Sequence, residues 1–360
     1  MWLAGLDMIN VAIIGAGIGR EHLRAYQALA DRYSVRALCD IDAARGREVL
    51  AAEGSKAQLV SDLETVLGDP VIDLIDVCLP PHLHYEVSLQ ALAAGKHVVC
   101  EKPLVSSLRE ADALADAAAR YGRVLTPVFQ YRYGPEVAKL KALIGAGFTG
   151  RAFLASIETH WHRSAAYYDN PWRGTWAGEQ GGAVLGHAIH NHDLLAAILG
   201  PIKRLSAFTT TRVNDIEVED CAAISFEMTS GALATSSITL GAATDTSRFR
   251  FCFEGLTAES DLLPYAPADG TWVFTAREGG RPQSEIDDFL AALPARRSGF
   301  VGFFEALADA LEAGGREAVT LAEGRRALEL VSAIYRSARA GQVVELPLGE
   351  GSGMYDGWLP

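Results

Sequence analysis

The chain has 360 residues, 49% hydrophobic and 21% charged, with a formal net charge of −13. That length exceeds what one core normally holds, so two domains are expected, and the composition is that of a globular rather than a disordered chain. The negative charge argues against a general nucleic-acid binder or a binder of anionic membranes, and no apolar run approaches the roughly 20 residues that span a bilayer.

The five cysteines, Cys39, Cys78, Cys100, Cys221 and Cys252, are scattered and form no Cys-x-x-Cys pair. Reduced thiols in an intracellular protein are expected. Met1 to Asp7 carry no basic region and no long apolar stretch, so no signal peptide is expected and the predicted location is cytoplasmic.

Ile9 to Gly15 reads as a buried strand and Arg20 to Tyr33 as a helix with Leu23, Tyr26, Ala30 and Tyr33 on one stripe. Strand Val35 to Asp40, helices Ala43 to Glu53 and Leu63 to Leu67, and strand Val71 to Leu79 follow. Then come helix His84 to Ala94, strand Lys96 to Glu101, helix Leu108 to Tyr121 and strand Val124 to Gln130. This alternation predicts a parallel, doubly wound Rossmann sheet over residues 1–126. Beyond it the pattern changes. Helix Pro135 to Ala146 precedes strands Ala152 to His160, Arg204 to Val213, Cys221 to Met228, Ala232 to Leu240 and Phe249 to Glu254, and two late helices cover Val301 to Ala313 and Leu321 to Ala340. Residues 127–360 therefore read as an α+β domain with a large, mostly antiparallel sheet.

The first strand runs into Gly15-Ala16-Gly17-Ile18-Gly19-Arg20. A tight turn without Cβ atoms lets a pyrophosphate approach the helix amides. The third glycine of the usual G-x-G-x-x-G spacing comes one residue early. Asp40 ends the next strand, where a carboxylate would bond both ribose hydroxyls and repel a 2′-phosphate, and Ile41 follows it. NAD is therefore favoured over NADP. The alternative is that Asp40 and Asp42 merely cap the next helix.

The strand Val98-Val99-Cys100 ends in Glu101-Lys102-Pro103, two opposite charges and an imino acid where open α/β sheets bind ligands. Lys102 there would be poorly solvated and tunable, although an exposed salt bridge would use the same residues. Downstream, Gly181-Gly182 leads into His190 and Asp193, an i, i+3 pair sharing one helix face.

Together with the run Val71 to Pro103 and the tail Tyr355, Gly357, Trp358, Leu359 and Pro360, these motifs resemble the Gfo/Idh/MocA family, which includes glucose-fructose oxidoreductase and inositol dehydrogenases. The resemblance covers nearly the whole chain. It implies an NAD(P)-dependent oxidoreductase that works without metal and forms dimers or tetramers through the open sheet. It also implies a cis bond before Pro103. On that resemblance Gly15, Gly17, Ile18, Gly19, Asp40, Ile41, Leu79, Pro80, His84, Glu101, Lys102, Trp172 and Arg173 are expected to line the cofactor. Many members carry an aspartate one turn before the histidine; this chain has Gly186 there, and His187 or Asp193 are the candidates to replace it.

Alcohol oxidation needs a base for the hydroxyl proton as hydride leaves for the nicotinamide. His190 is the expected base, with Lys102 donating to the same oxygen. The aromatic stretch Tyr167 to Trp176 suits the apolar faces and hydroxyl edges of a sugar, or a lid or dimer contact. Tyr131, Arg132, His160, Arg163, Trp172, His187 and Asp193 join Lys102 and His190 as expected substrate contacts. A zinc reading of His160, His162, His187, His190 and His192 is the alternative for these histidines. The predicted activity is oxidation of a secondary hydroxyl of a sugar, sugar derivative or cyclic polyol. The rivals are a keto-sugar reductase, a cofactor-recycling oxidoreductase and a non-catalytic NAD sensor. The expected partners are a small sugar or polyol and a second copy of the chain, without nucleic acid or membrane.

Overall fold

The computed structural model describes residues 8–313 and 318–360; the expectation for Met1 to Asp7 lies outside them. The first domain alternates β1 (Ile9–Ile14), α1 (Gly19–Gln27), β2 (Tyr33–Cys39), α2 (Ala43–Ala52), β3 (Gln58–Val60), α3 (Leu63–Leu67), β4 (Leu74–Val77), α4 (His84–Ala93), β5 (His97–Cys100), α5 (Leu108–Tyr121) and β6 (Leu125–Pro127). Its six strands run in the order β3-β2-β1-β4-β5-β6, and every pairing is parallel. This is the doubly wound dinucleotide order, with its switch point between β1 and β4. Such a sheet is covered on both faces, which is why β4 and β5 are buried at every residue, the charged Asp76 included.

The second domain begins with α6 (Pro135–Gly145) and β7 (Ala152–His162), then α7 (Trp176–Glu179) and α8 (Ile189–Leu199). β8 (Ile202–Thr210), β9 (Cys221–Met228), β10 (Leu233–Thr239), β11 (Gly241–Phe253), β12 (Leu256–Ser260) and β13 (Trp272–Ala276) complete most of the sheet. Helices α9 (Gln283–Ala291), α10 (Gly299–Ala313) and α11 (Leu321–Ala340) and the short β14 (Val344–Glu345) follow. The eight strands run β13-β12-β11-β7-β10-β9-β8-β14, antiparallel except for the parallel pair β7 and β10. The expected mostly antiparallel α+β domain is therefore present. The strands β12 and β13 were not anticipated, because Asp261 to Gly270 breaks the alternation between them.

The side-chain period of two sorts β7 cleanly. Ala155, Ile157, Thr159 and Trp161 are buried, and Ser156, Glu158, His160 and His162 point the other way. Helix α8 covers the buried face: the Asn191 amide donates to Thr159 Oγ1 at 2.7 Å, and His192 Nε2 meets Ser236 Oγ at 2.9 Å.

The chain does not divide at a single point. Phe300–Leu328 returns to the first compact unit, which otherwise ends at Phe129, and Gln130–Gly299 with Glu329–Pro360 makes the second. The expectation of one boundary at residues 126/127 assigns that returning segment to the second domain. The reason lies in α10, where Phe304 stacks on Tyr26 at 4.0 Å and its carbonyl accepts the Tyr33 hydroxyl at 2.8 Å. Helix α1 is too short to cover that apolar surface alone.

Candidate active site

At the nucleotide end, Gly15 takes a φ of 104°, and a Cβ there would lie 2.4 Å from the Cys78 carbonyl oxygen. A Cβ on Gly17 would meet nothing within 4 Å, which leaves the backbone open to a pyrophosphate. A Cβ on Gly19 would lie 2.7 Å from Ile13 Cγ2, so this early glycine is the one that lets α1 pack on β1. Asp40 and Asp42 accept from different amides. Asp42 caps α2 by accepting from the Ala44 and Arg45 amides, at 3.0 and 3.1 Å. Asp40 is held by the Ala16 amide at 2.7 Å and the Asp42 amide at 2.8 Å, its carboxylate fixed beside the glycine turn. Ile18 and Ile41 are both exposed next to it. The turn, the open backbone and the anchored acid fit a dinucleotide with a free ribose diol.

At the end of β5, Lys102 is half-buried and the Lys102–Pro103 bond is cis. Glu101 is buried, and its Oε2 accepts the Lys102 amide at 3.0 Å. Leu79 and Pro80 follow β4 and are progressively more exposed. His84 departs from its expected place against the cofactor. It is fully buried, with Nδ1 2.7 Å from the Pro103 carbonyl and Nε2 2.8 Å from the Leu79 carbonyl, and burial lowers its pKa. It braces the loop after β4 against the loop after β5.

In the second domain, His190 stacks on Tyr131 with ring centroids 4.6 Å apart. A wide π-helical turn, Val184–Ala188, precedes it in the chain and contains Gly186, where a Cβ would meet nothing within 4 Å. An aspartate would have room there, so its absence is a choice of sequence and not of space. Asp193, offered as its replacement, is gripped by Arg132, whose Nε and Nη2 each donate at 2.6 Å to separate carboxylate oxygens. Both are buried, and they form a bidentate ion pair with each other. His187 meets the edge of Trp161 at 5.3 Å and lies 6.1 Å from Tyr167. Arg163 lies over Trp161, Tyr167 and Tyr265 and pairs with Asp245 at 3.2 Å. Arg173 is held between Tyr167 and the half-exposed Trp172 and pairs with Glu179 at 3.1 Å.

His160 does not join this group. It is on the face of β7 opposite Trp161, bonded to Ser237 Oγ at 2.9 Å, and His162 reaches the Ala242 carbonyl on that same side. His192 is a core histidine whose pKa burial lowers to about 4. The sheet thus separates His160 and His162 from His187 and His192.

Several residues around His190 were missed. Glu219 is buried, and its carboxyl accepts from the Gly182 and Val184 amides at 3.1 and 2.9 Å and from the Tyr335 hydroxyl at 3.0 Å. Burial raises its pKa to about 7. It fastens the start of the helical segment that carries His187 and His190, and a Cβ on Gly182 would fall 1.8 Å from the Glu219 carbonyl. The buried tail residue Trp358 donates to the Gln180 carbonyl at 2.6 Å. The signal for Glu219 was its place beside Asp220 between the apolar Val218 and Cys221.

The model of the "Oxidoreductase family, NAD-binding Rossmann fold" matches residues 9–129, and that of the "GFO/IDH/MocA C-terminal domain" matches residues 137–259. The chain belongs to the Gfo/Idh/MocA oxidoreductase family. It is 32% identical over 219 residues to levoglucosan dehydrogenase of Pseudarthrobacter phenanthrenivorans, covering 57% of this chain and 55% of that protein. It is 26% identical over 235 residues to inositol 2-dehydrogenase/D-chiro-inositol 3-dehydrogenase of Lactiplantibacillus plantarum, covering 64% of each. The chain therefore spans less than two thirds of the length of these curated relatives. The WlbA dehydrogenase of Bordetella pertussis, solved with NADH and UDP-GlcNAcA, superposes with a TM-score of 0.82 at 26% identity, over 95% of this chain and 100% of that one. The first domain is thus an NAD-binding Rossmann domain, and among the described residues no helix is long and apolar enough to cross a membrane.

Proposed function

We propose that the chain oxidises a secondary hydroxyl of a sugar, sugar derivative or cyclic polyol with NAD, using Lys102 and His190 at the reacting oxygen. The observation that carries this reading is the setting of Lys102. It leaves the carboxyl end of β5 in an NAD-binding sheet, with its amide tied to the buried Glu101. NAD, when bound, supplies the hydride acceptor. His190 takes the hydroxyl proton, its ring plane fixed by Tyr131. The Lys102 ammonium donates a hydrogen bond to the same oxygen and stabilises its developing negative charge. Gly15, Gly17 and Gly19 shape the pyrophosphate turn and Asp40 takes the ribose diol, while Trp172, Arg173, His187 and Arg163 favour a ring with apolar faces and hydroxyl edges.

The names of the relatives put anhydrosugars, inositols and nucleotide-linked sugars at the head of a substrate panel. The test is NAD reduction at 340 nm across that panel. Turnover with one class is expected, falling by about a thousandfold in Lys102→Ala and His190→Ala with NAD affinity kept. Firm NAD binding without turnover on any substrate would overturn the enzyme reading in favour of a sensor.

The face of the eight-stranded sheet opposite α8 carries the exposed Phe208, Leu154, Leu233 and Val273. We propose it as the surface through which the chain forms a homodimer or homotetramer; light scattering reporting a monomer would refute that.

A further inference from the structure

His22 is a fully enclosed ionisable ring of the first domain, and the mechanism above makes no use of it. It lies on α1, three residues after Gly19, so the two share the helix face that packs on the sheet. Its side chain is 0% exposed. Nδ1 is 2.8 Å from Asp76 Oδ2 on β4, and Nε2 is 3.2 Å from Glu101 Oε1 just past the end of β5. Cys78 Sγ stands 3.4 Å from Nδ1, and burial holds that thiol far above its ordinary pKa, hence neutral. Phe300 and Phe304 of α10 close the remaining sides, with centroids 4.6 and 5.3 Å away. Tyr26, one turn on along α1, stacks on Phe304 and keeps water out.

A ring with a carboxylate oxygen at each nitrogen satisfies both only as the imidazolium, because a neutral ring donates from one nitrogen alone. Burial alone would drive off the second proton. The attraction of Asp76 and the hydrogen bonds of Asp76 and Cys78 together outweigh it, and the pKa of His22 stands well above its ordinary value. One buried ring therefore joins two buried carboxyl groups. Removing it would leave both without this partner. The second oxygen of Glu101 carries the arrangement outward, since Oε2 accepts the Lys102 amide.

Resting on the role proposed for Lys102, we infer that His22 is a positioning residue. Clamped between Asp76 and Glu101, it fixes the Glu101 carboxylate and, through it, the backbone from which Lys102 projects. It touches neither substrate nor cofactor. Its contribution is to the orientation of Lys102, and such misplacement registers in turnover more than in binding.

The experiment compares His22→Gln, Glu101→Gln, their double variant and Lys102→Ala in the full chain. In His22→Gln with an unchanged NAD Kd, kcat should fall about ten- to a hundredfold, with KM for the sugar changed less than about threefold. The double variant should be no slower than the slower single one, because both act through one carboxylate. Full turnover in folded His22→Gln, or losses that multiply in the double variant, would overturn the inference while a Lys102→Ala loss kept the role of Lys102 intact. Full turnover in Lys102→Ala would instead remove the role on which it rests. The ring itself gives a readout independent of turnover and of any unstable variant. Nitrogen NMR of labelled wild-type protein at pH 8 should show one histidine protonated on both nitrogens, absent from His22→Gln or, if that variant does not fold, coupled to Glu101→Gln by a shift. A His22 ring with one bare nitrogen at that pH would refute the clamp.

Discussion

Lys102 and His190 are held in different ways. Lys102 stands at the end of a fully buried parallel strand, and the groups that fix its surroundings arrive from neighbouring strand ends and the first helix: Glu101, His84 against two loop carbonyls, and His22 behind them. His190 stands on a helix start assembled from distant parts of the second domain. Arg132 pairs with Asp193, Glu219 collects two amides before the helix, Tyr335 reaches Glu219 from α11, and Trp358 holds Gln180 from the tail. A parallel sheet brings ligand groups together wherever its strands end. A helix laid on an open sheet has no such rule, and each brace must be supplied by a specific long-range pair.

That comparison is broken or sharpened by three substitutions. The largest effect is expected at the ion pair. Asp193→Ala leaves the Arg132 guanidinium buried without its carboxylate, so stability should fall by about 3–5 kcal/mol in denaturant melts. A loss confined to turnover would mean that the second domain is not braced there.

Next is Glu219→Gln. The folded pKa of Glu219 is raised to about 7 from an ordinary 4.5, so the native state holds this proton more tightly than the unfolded chain. Its contribution is fully present below about pH 4.5 and is lost as pH rises towards 7, a change of about 3 kcal/mol. The wild-type chain should lose more stability than Glu219→Gln between pH 5 and pH 7.5, read as the difference between their melting curves. Parallel curves would show that the carboxyl is ionised throughout.

The smallest effect is expected from Asp40→Ala beside the glycine turn of the first domain. NAD affinity should fall about tenfold in a binding titration, with stability lowered by about 1 kcal/mol, because Asp40 accepts from the Ala16 and Asp42 amides and lies 4.0 Å from Arg45. A large loss of stability would make the nucleotide end as dependent on tertiary bracing as the His190 helix.

The sequence by itself determined the parallel, doubly wound character of the first sheet, the glycine turn, Asp40 and the Glu101-Lys102-Pro103 strand end. These depend on alternating strands and helices and on residues close together in the chain, where hydrophobic period and turn chemistry are direct signals. It also determined the antiparallel character of the second sheet, since strand alternation survives in β7 to β11. Only the tertiary structure decided the rest. It placed His160 away from His187, because a single strand's parity sends neighbouring side chains to opposite faces and the covering helix selects one. It joined Arg132 and Asp193, 61 residues apart, in an ion pair. It drew Phe300–Leu328 back to the first domain and enclosed His22 between two carboxylates, since long-range burial leaves no period in the chain.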